Sequence, residues 1–172
     1  MHRPILAALV LALAATYAAD AHDIIRHAAP NFPIASSVVV PTDTDLVFLS
    51  GMLADVADPK APAGSLERLG DTATQAKSVL AKIQKELATL GLTMADVVRM
   101  NVFLVGDPRK GGSMDFEGLM QAYLGVYGLR PQENKLPART TVQVAGLPVP
   151  GALVEIEVVA ARHAAQHEHA AD

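Results

Sequence analysis

Leu136-Pro137-Ala138-Arg139-Thr140-Thr141-Val142-Gln143-Val144 leads through Ala145-Gly146-Leu147-Pro148-Val149-Pro150-Gly151-Ala152 into Leu153-Val154-Glu155-Ile156-Glu157-Val158-Val159-Ala160-Ala161, and on this stretch the fold turns. The β-branched and partly alternating runs at 139–144 and 153–161 predict two strands. The Gly- and Pro-rich segment between them predicts a tight turn, hence an antiparallel hairpin. In the second strand Val154, Ile156, Val158 and Ala160 share one face, and Leu153, Glu155, Glu157, Val159 and Ala161 the other. If the turn pairs Gln143 or Val144 with Leu153, Arg139 falls beside Glu155 or Glu157 on the polar face. By spacing alone that pair is an ordinary cross-strand ion pair, worth about 0 to 1 kcal/mol when exposed. Val159 and Ala161 continue the same face, as expected of a face that is partly covered.

Working outward, the period changes from two to 3.6 at two places. Asp71 can cap a helix in which Ala73, Ala76, Val79, Leu80, Ile83, Leu87 and Leu90 form one stripe, and Gly91 ends it. A second amphipathic helix is expected from Ser113, with Phe116, Leu119, Met120, Tyr123, Leu124 and Tyr127 on one face. The tyrosines read as core residues. Residues 97–105 form an apolar strand between the helices, and 37–40 and 46–49 read as two strands around a polar turn, after a short one at Ile24-Ile25. Residues 54–66 read as a loop, and 106–112 as a solvated turn without the ending of a phosphate-binding loop. The order β-β-β-α-β-α-β-β gives a single α+β domain with two helices on one face of a mixed sheet. Two helices cover only one face. The other must meet solvent, a loop or a second subunit.

The 172 residues carry 14 Lys plus Arg against 18 Asp plus Glu, a net charge of −4 with no basic stripe, which speaks against a nucleic-acid partner. Zero Cys excludes disulfides, thiolate metal sites and cysteine nucleophiles. His2, His22, His27, His163, His167 and His169 all lie near a terminus, so histidine-based triads and buried metal centres are disfavoured. No metal and no cofactor is expected. Met1-His2-Arg3-Pro4, the apolar run from Ile5 to Ala15 and Ala19-Asp20-Ala21 have the form of a secretory signal over 1–21. The run is shorter than the about 20 residues that span a bilayer, so the mature protein is expected to be periplasmic or secreted, with no membrane anchor. The domain then covers 22–163, and 164–172 reads as a disordered tail in which any histidine metal site would be adventitious.

The motif at 136–148, together with Gly151-Ala152-Leu153-Val154-Glu155-Ile156-Glu157, Leu46-Val47-Phe48-Leu49-Ser50-Gly51 and Asp96-Val97-Val98-Arg99-Met100-Asn101-Val102-Phe103-Leu104, resembles the RidA/YjgF family of enamine and imine deaminases. The resemblance implies a chorismate-mutase-like fold and a homotrimer with clefts between subunits. It implies that Arg139 clamps a small carboxylate substrate, that Glu155 manages the attacking water, and that Ser50 and Gly51 line the cleft, with Thr141 beside Arg139. Arg139 and Glu155 are thus the catalytic candidates, and Arg139, Ser50, Gly51 and Thr141 the substrate-binding ones. Three positions depart from the family pattern. Pro33-Ile34-Ala35-Ser36-Ser37 lacks the usual Tyr, Met52 replaces a Gln, and Met120 stands where an Asn is usual; the 127–136 segment is also longer. Two alternatives stay open, a non-catalytic carboxylate-binding or holdase-like trimer and a secreted chorismate mutase.

Overall fold

The structure is a computed structural model that describes residues 23–128 and 135–163. The expected signal, the expected tail and most of the longer 127–136 segment lie outside the described residues. Six strands form one mixed sheet: β1 (Ile25–Ala28), β2 (Ala35–Val39), β3 (Thr44–Leu53), β4 (Val97–Val105), β5 (Ala138–Val144) and β6 (Val154–His163). The helices are α1 (Leu66–Leu69), a single turn inside the segment expected to be a loop, α2 (Thr72–Thr89) and α3 (Phe116–Tyr127). Asp71 caps α2 by accepting from Thr74 N, as its sequence position predicts. The second helix starts later than expected, because Asp115 rather than Ser113 caps it, accepting from Gly118 N, while Ser113 bridges back to Asp107. Among the described residues no helix is long and apolar enough to cross a membrane.

Strand order is β1-β2-β5-β4-β6-β3, and this corrects the expected hairpin. β5 and β6 are not a hairpin. β4 lies between them, parallel to β5 and antiparallel to β6. The physical reason is the apolar character of β4: Met100, Val102 and Leu104 are 0–1% exposed, and a strand so buried is most stable with a partner on both edges. The segment after β5 therefore passes over the end of β4, where Val105 N donates to Leu153 O, before β6 begins. The two strands around the polar turn, β2 and β3, lie four positions apart in the sheet. In a flat sheet that is about 19 Å, beyond the reach of about 17 Å for the few residues that join them. The sheet must coil, with its uncovered face concave. Val38 and Val40 accordingly line one cavity with Leu46 and Phe48.

The covered face holds the core. Val79, Leu80, Ile83 and Leu87 of α2 and Leu119, Ala122 and Tyr123 of α3 bury against Val154, Ile156, Val158 and Ala160 of β6 and the inward residues of β4. Each such aliphatic side chain contributes about 1.5 to 3 kcal/mol on burial. Leu90, at the expected end of the α2 stripe, is 40% exposed because the helix stops at Thr89. Gln75 is the exception in this core, with no exposed surface. Its Nε2 donates to Gly70 O and Gly151 O at 3.0 Å, and its Oε1 accepts from Leu153 N at 2.8 Å. The loop before β6 is thereby held to α2.

Candidate functional site

The parallel register sets Arg139 opposite Met100, so Arg139, Thr141 and Gln143 face α3. That reverses the expectation drawn from the hairpin. Parity passes to a strand from the partner it pairs with, and the partner of β5 is β4, not β6. Glu155 pairs with Phe103 and Leu53 on the uncovered face, as its alternation predicts. Arg139 and Glu155 of one protomer therefore point to opposite sides of the sheet, and the predicted ion pair does not exist.

Around Arg139 three elements converge. Tyr123 of α3 lies under its guanidinium, 4.3 Å from ring centroid to Cζ, with Phe32 at 5.5 Å and Phe116 at 5.8 Å. The rings of Phe32 and Phe116 stack at 6.2 Å. Nη2 donates to Met120 Sδ at 3.3 Å, a weak acceptor, and Nη1 is buried without a hydrogen-bond partner among the described residues. No ion pair among the described residues includes Arg139. Burial lowers its pKa, partly offset by Tyr123 and Tyr127, yet a guanidinium stays charged in any protein environment. The same burial pushes the Tyr123 phenol up to about 12, and raises that of Tyr127 as well. Thr141 Oγ1, next along the same face, is also buried and unpartnered, whereas Gln143 is occupied by Met114 N and Gly112 O. A buried guanidinium donor and a buried hydroxyl, both without partners, would each gain a hydrogen bond from an anion that reached them.

Local backbone places this cluster. Arg26 ties the segment ahead of β5 to the chain before β4, its Nε donating to Leu136 O at 3.1 Å and its Nη2 to Ala95 O and Val97 O. Phe32 stands on a turn in which Asn31 takes φ 61°, a left-handed conformation that Asn tolerates better than most side chains. Ala29 N to Ile34 O at 2.9 Å and Tyr123 Oη to Pro33 O at 2.8 Å close that turn against α3. The tyrosine expected to be core is thus both core and floor of the site.

On the uncovered face, Ser50 and Gly51 form a bulge opposite Glu157, since Leu49 pairs with Val158 and Met52 with Ile156. Glu155 occupies the space a side chain at Gly51 would need: a Cβ built there would overlap Oε1. Ser50 lines a cavity of about 250 Å³ with Phe48, Arg99, Asn101 and Glu157, and Asn101 Nδ2 donates to Glu157 Oε1 at 2.7 Å. Of the site residues expected from sequence, the fold thus brings together Arg139 with Thr141, and separately Glu155 with Ser50 and Gly51. Residues that the sequence did not single out are Phe32, which reads as part of a strand-breaking loop, and Phe116, which reads as helix core. Among the described residues no group of three or more His, Asp or Glu could hold a metal ion.

Residues 33–162 match the family described as endoribonuclease L-PSP. The chain belongs to the RidA/YjgF family. Among solved structures it is similar to a protein of unknown function of the conserved Rid family from Yersinia pestis, at 25% identity and a TM-score of 0.53, over 74% of this chain and 86% of that one. A protein of unknown function from Pseudomonas aeruginosa is similar to the same degree, 25% identical with a TM-score of 0.53, over 80% of this chain and 92% of that one. No curated protein matches the sequence. The match of the RidA/YjgF family begins at Pro33, beside Phe32, and contains Arg139, Thr141, Ser50, Gly51 and Glu155.

Proposed function

We propose that this protein hydrolyses small imine or enamine carboxylates to 2-keto acids and ammonia, in a site assembled between copies of the chain. The observation that carries the reading is the buried, unpartnered Nη1 of Arg139 beside the unpartnered Thr141 hydroxyl. A planar guanidinium makes two parallel charge-assisted bonds to a carboxylate, about 1.5 to 3 kcal/mol each. Glu155 faces the other side of its own sheet, so the carboxylate that would work opposite Arg139 must come from a neighbouring subunit. The concave face offers the contact: Phe48 is 73% exposed, and Leu46 and Val142 are exposed beside it. A homotrimer, as is usual in the family, in which the concave face of one subunit meets the α3 and β5 side of the next would bring one subunit's Glu155 and Ser50-Gly51 bulge to its neighbour's Arg139.

In the reaction, Glu155 takes a proton from water as the water oxygen bonds to the C=N carbon. The same carboxyl then gives that proton to nitrogen. The carbinolamine so formed gives its hydroxyl proton, through Glu155, to the amine nitrogen, so the C–N bond breaks as the C=O bond forms, ammonia leaves and the carbon becomes the carbonyl of the keto acid; an enamine reacts as its imine tautomer. Arg139 holds the substrate carboxylate throughout, and Gly51 leaves Glu155 room to reach the water. Ribonuclease chemistry, which the family description names, finds no support in a chain of net charge −4 without a basic stripe. We propose further that residues 1–21, which have the form of a secretory signal, are removed after Ala21 on export, and that the mature protein acts in the periplasm or outside the cell.

The test is ammonia release from an imine such as 2-aminoacrylate generated in place. Wild type should accelerate it, Arg139→Ala should lower kcat/KM roughly 100-fold or more, and Glu155→Gln should lower kcat roughly 100-fold or more. No acceleration by wild type, with keto acids still bound, would turn the assignment to a non-catalytic carboxylate binder. Conversion of chorismate to prephenate would turn it to a mutase.

A further inference from the structure

We infer that the concave face carries a further binding site, for a free α-amino acid with an apolar side chain. Arg99 takes its carboxylate, Glu157 its ammonium, and a valine-lined hollow beside Phe48 its side chain. The site uses neither Arg139 nor Glu155.

Two cavities open side by side on that face, with Phe48, Arg99 and Val159 as their common wall. The first, of about 250 Å³, adds the polar side chains of Ser50, Asn101 and Glu157. The second, of about 300 Å³, has Arg99 as its only charged residue, among Val38, Val40, Leu46 and Val98. Arg99 is exposed, and among the described residues its guanidinium has no hydrogen-bond or ion-pair partner. Glu157 is held in place by Asn101 Nδ2, which donates to Oε1 at 2.7 Å and leaves Oε2 without a partner among the described residues.

Register decides the charge of the ligand. On the antiparallel ladder of β4 and β6, Arg99 stands opposite Val159 and Asn101 opposite Glu157, so Arg99 and Glu157 are diagonal neighbours, rooted about 7 to 8 Å apart. A lone anion at Arg99 would face the Glu157 carboxylate, and a lone cation at Glu157 would face the guanidinium. A zwitterion with both charges on one carbon satisfies both. Its carboxylate meets the planar fork of Arg99, and its ammonium meets Glu157 Oε2 and the Ser50 hydroxyl. Its side chain then passes Phe48 into the second cavity, where an apolar group sheds water favourably and a polar one finds no partner but Arg99. Phe48 is 73% exposed, so its ring can wall the cavities and still present surface to a neighbouring subunit. Association through this face therefore encloses the ligand, and the bound amino acid stabilises the assembly.

The experiment is calorimetric titration of the purified protein with leucine, phenylalanine, glycine and two analogues of leucine: 4-methylpentanoate, which lacks the ammonium, and 3-methylbutylamine, which lacks the carboxylate. Leucine and phenylalanine should bind, and glycine and both analogues should bind roughly 10-fold or more weakly. Arg99→Ala and Glu157→Gln should each weaken leucine roughly 10-fold or more, while Arg139→Ala leaves it unchanged. Light scattering on dilution should show leucine holding the copies together in wild type and not in Arg99→Ala. Leucine binding that survives Arg99→Ala and Glu157→Gln would overturn the site, as would dissociation of the assembly by leucine. If 4-methylpentanoate binds as tightly as leucine, the zwitterion is overturned. No binding of leucine by a protein that still releases ammonia from imines would overturn this inference and leave the proposed function standing.

Discussion

Arg139 is picked out by its sequence motif, but its place in the sheet is not. The resemblance implies an anion ligand, and Nη1 is buried without a hydrogen-bond partner among the described residues. Its neighbours were not legible, because Phe32, Phe116 and Tyr123 come from a loop and a helix far away in the chain, and local periodicity carries no information on which distant rings meet. Replacing Arg139 by Lys keeps the charge and loses the planar fork, so affinity for a 2-keto acid should fall about 10- to 100-fold in a titration while the melting temperature changes little. Gly51 gives a second test at this scale. Its Cβ would occupy the place of Glu155 Oε1, so Gly51→Ala must move that carboxylate. The expected result is a large loss of kcat with KM for the substrate nearly unchanged, because the clamp lies elsewhere.

Among the elements, α2 was legible almost residue by residue, since a 3.6-residue stripe next to a capping Asp is a local signal, and α3 was legible in its stripe but not in its cap, which is Asp115 rather than Ser113. β5 was legible as a strand but not as to its face. Alternation divides Arg139, Thr141 and Gln143 from Thr140, Val142 and Val144, yet only the pairing with β4 decides which set meets the helices. The same holds for Gln75, a polar residue whose three hydrogen bonds to Gly70, Gly151 and Leu153 reach across the fold. Gln75→Ala leaves buried backbone groups unsatisfied and should cost about 2 to 4 kcal/mol in urea unfolding. The tyrosines of α3 add a pH dependence. Tyr123 has its pKa raised to about 12 in the fold, against an unfolded value of about 10. Its contribution to stability is therefore whole below pH about 10 and is lost as pH rises towards 12, at about 1.4 kcal/mol per pH unit. Tyr127, also raised by burial, extends the loss in the same direction. Denaturation curves at pH 9 and 11 should show the fall, and Tyr123→Phe should flatten it.

For the molecule as a whole, two helices cover one face of a coiled sheet and leave a concave face with exposed Phe48, Leu46 and Val142. An uncovered face was foreseeable by counting helices. Its curvature was not, since coiling follows from the separation of β2 and β3 across the sheet. If that face joins subunits, Phe48→Asp should turn a trimer into monomers by light scattering and remove activity although Arg139 and Glu155 are intact. The central claim is that a working site takes Arg139 from one copy and Glu155 from another. It is tested most directly by co-expressing Arg139→Ala and Glu155→Gln chains, each inactive alone, and assaying the mixed assemblies. Random mixing should restore about a quarter of the wild-type sites, those in which an intact Arg139 meets an intact neighbouring Glu155. Mixed assemblies as inactive as either parent would contradict it.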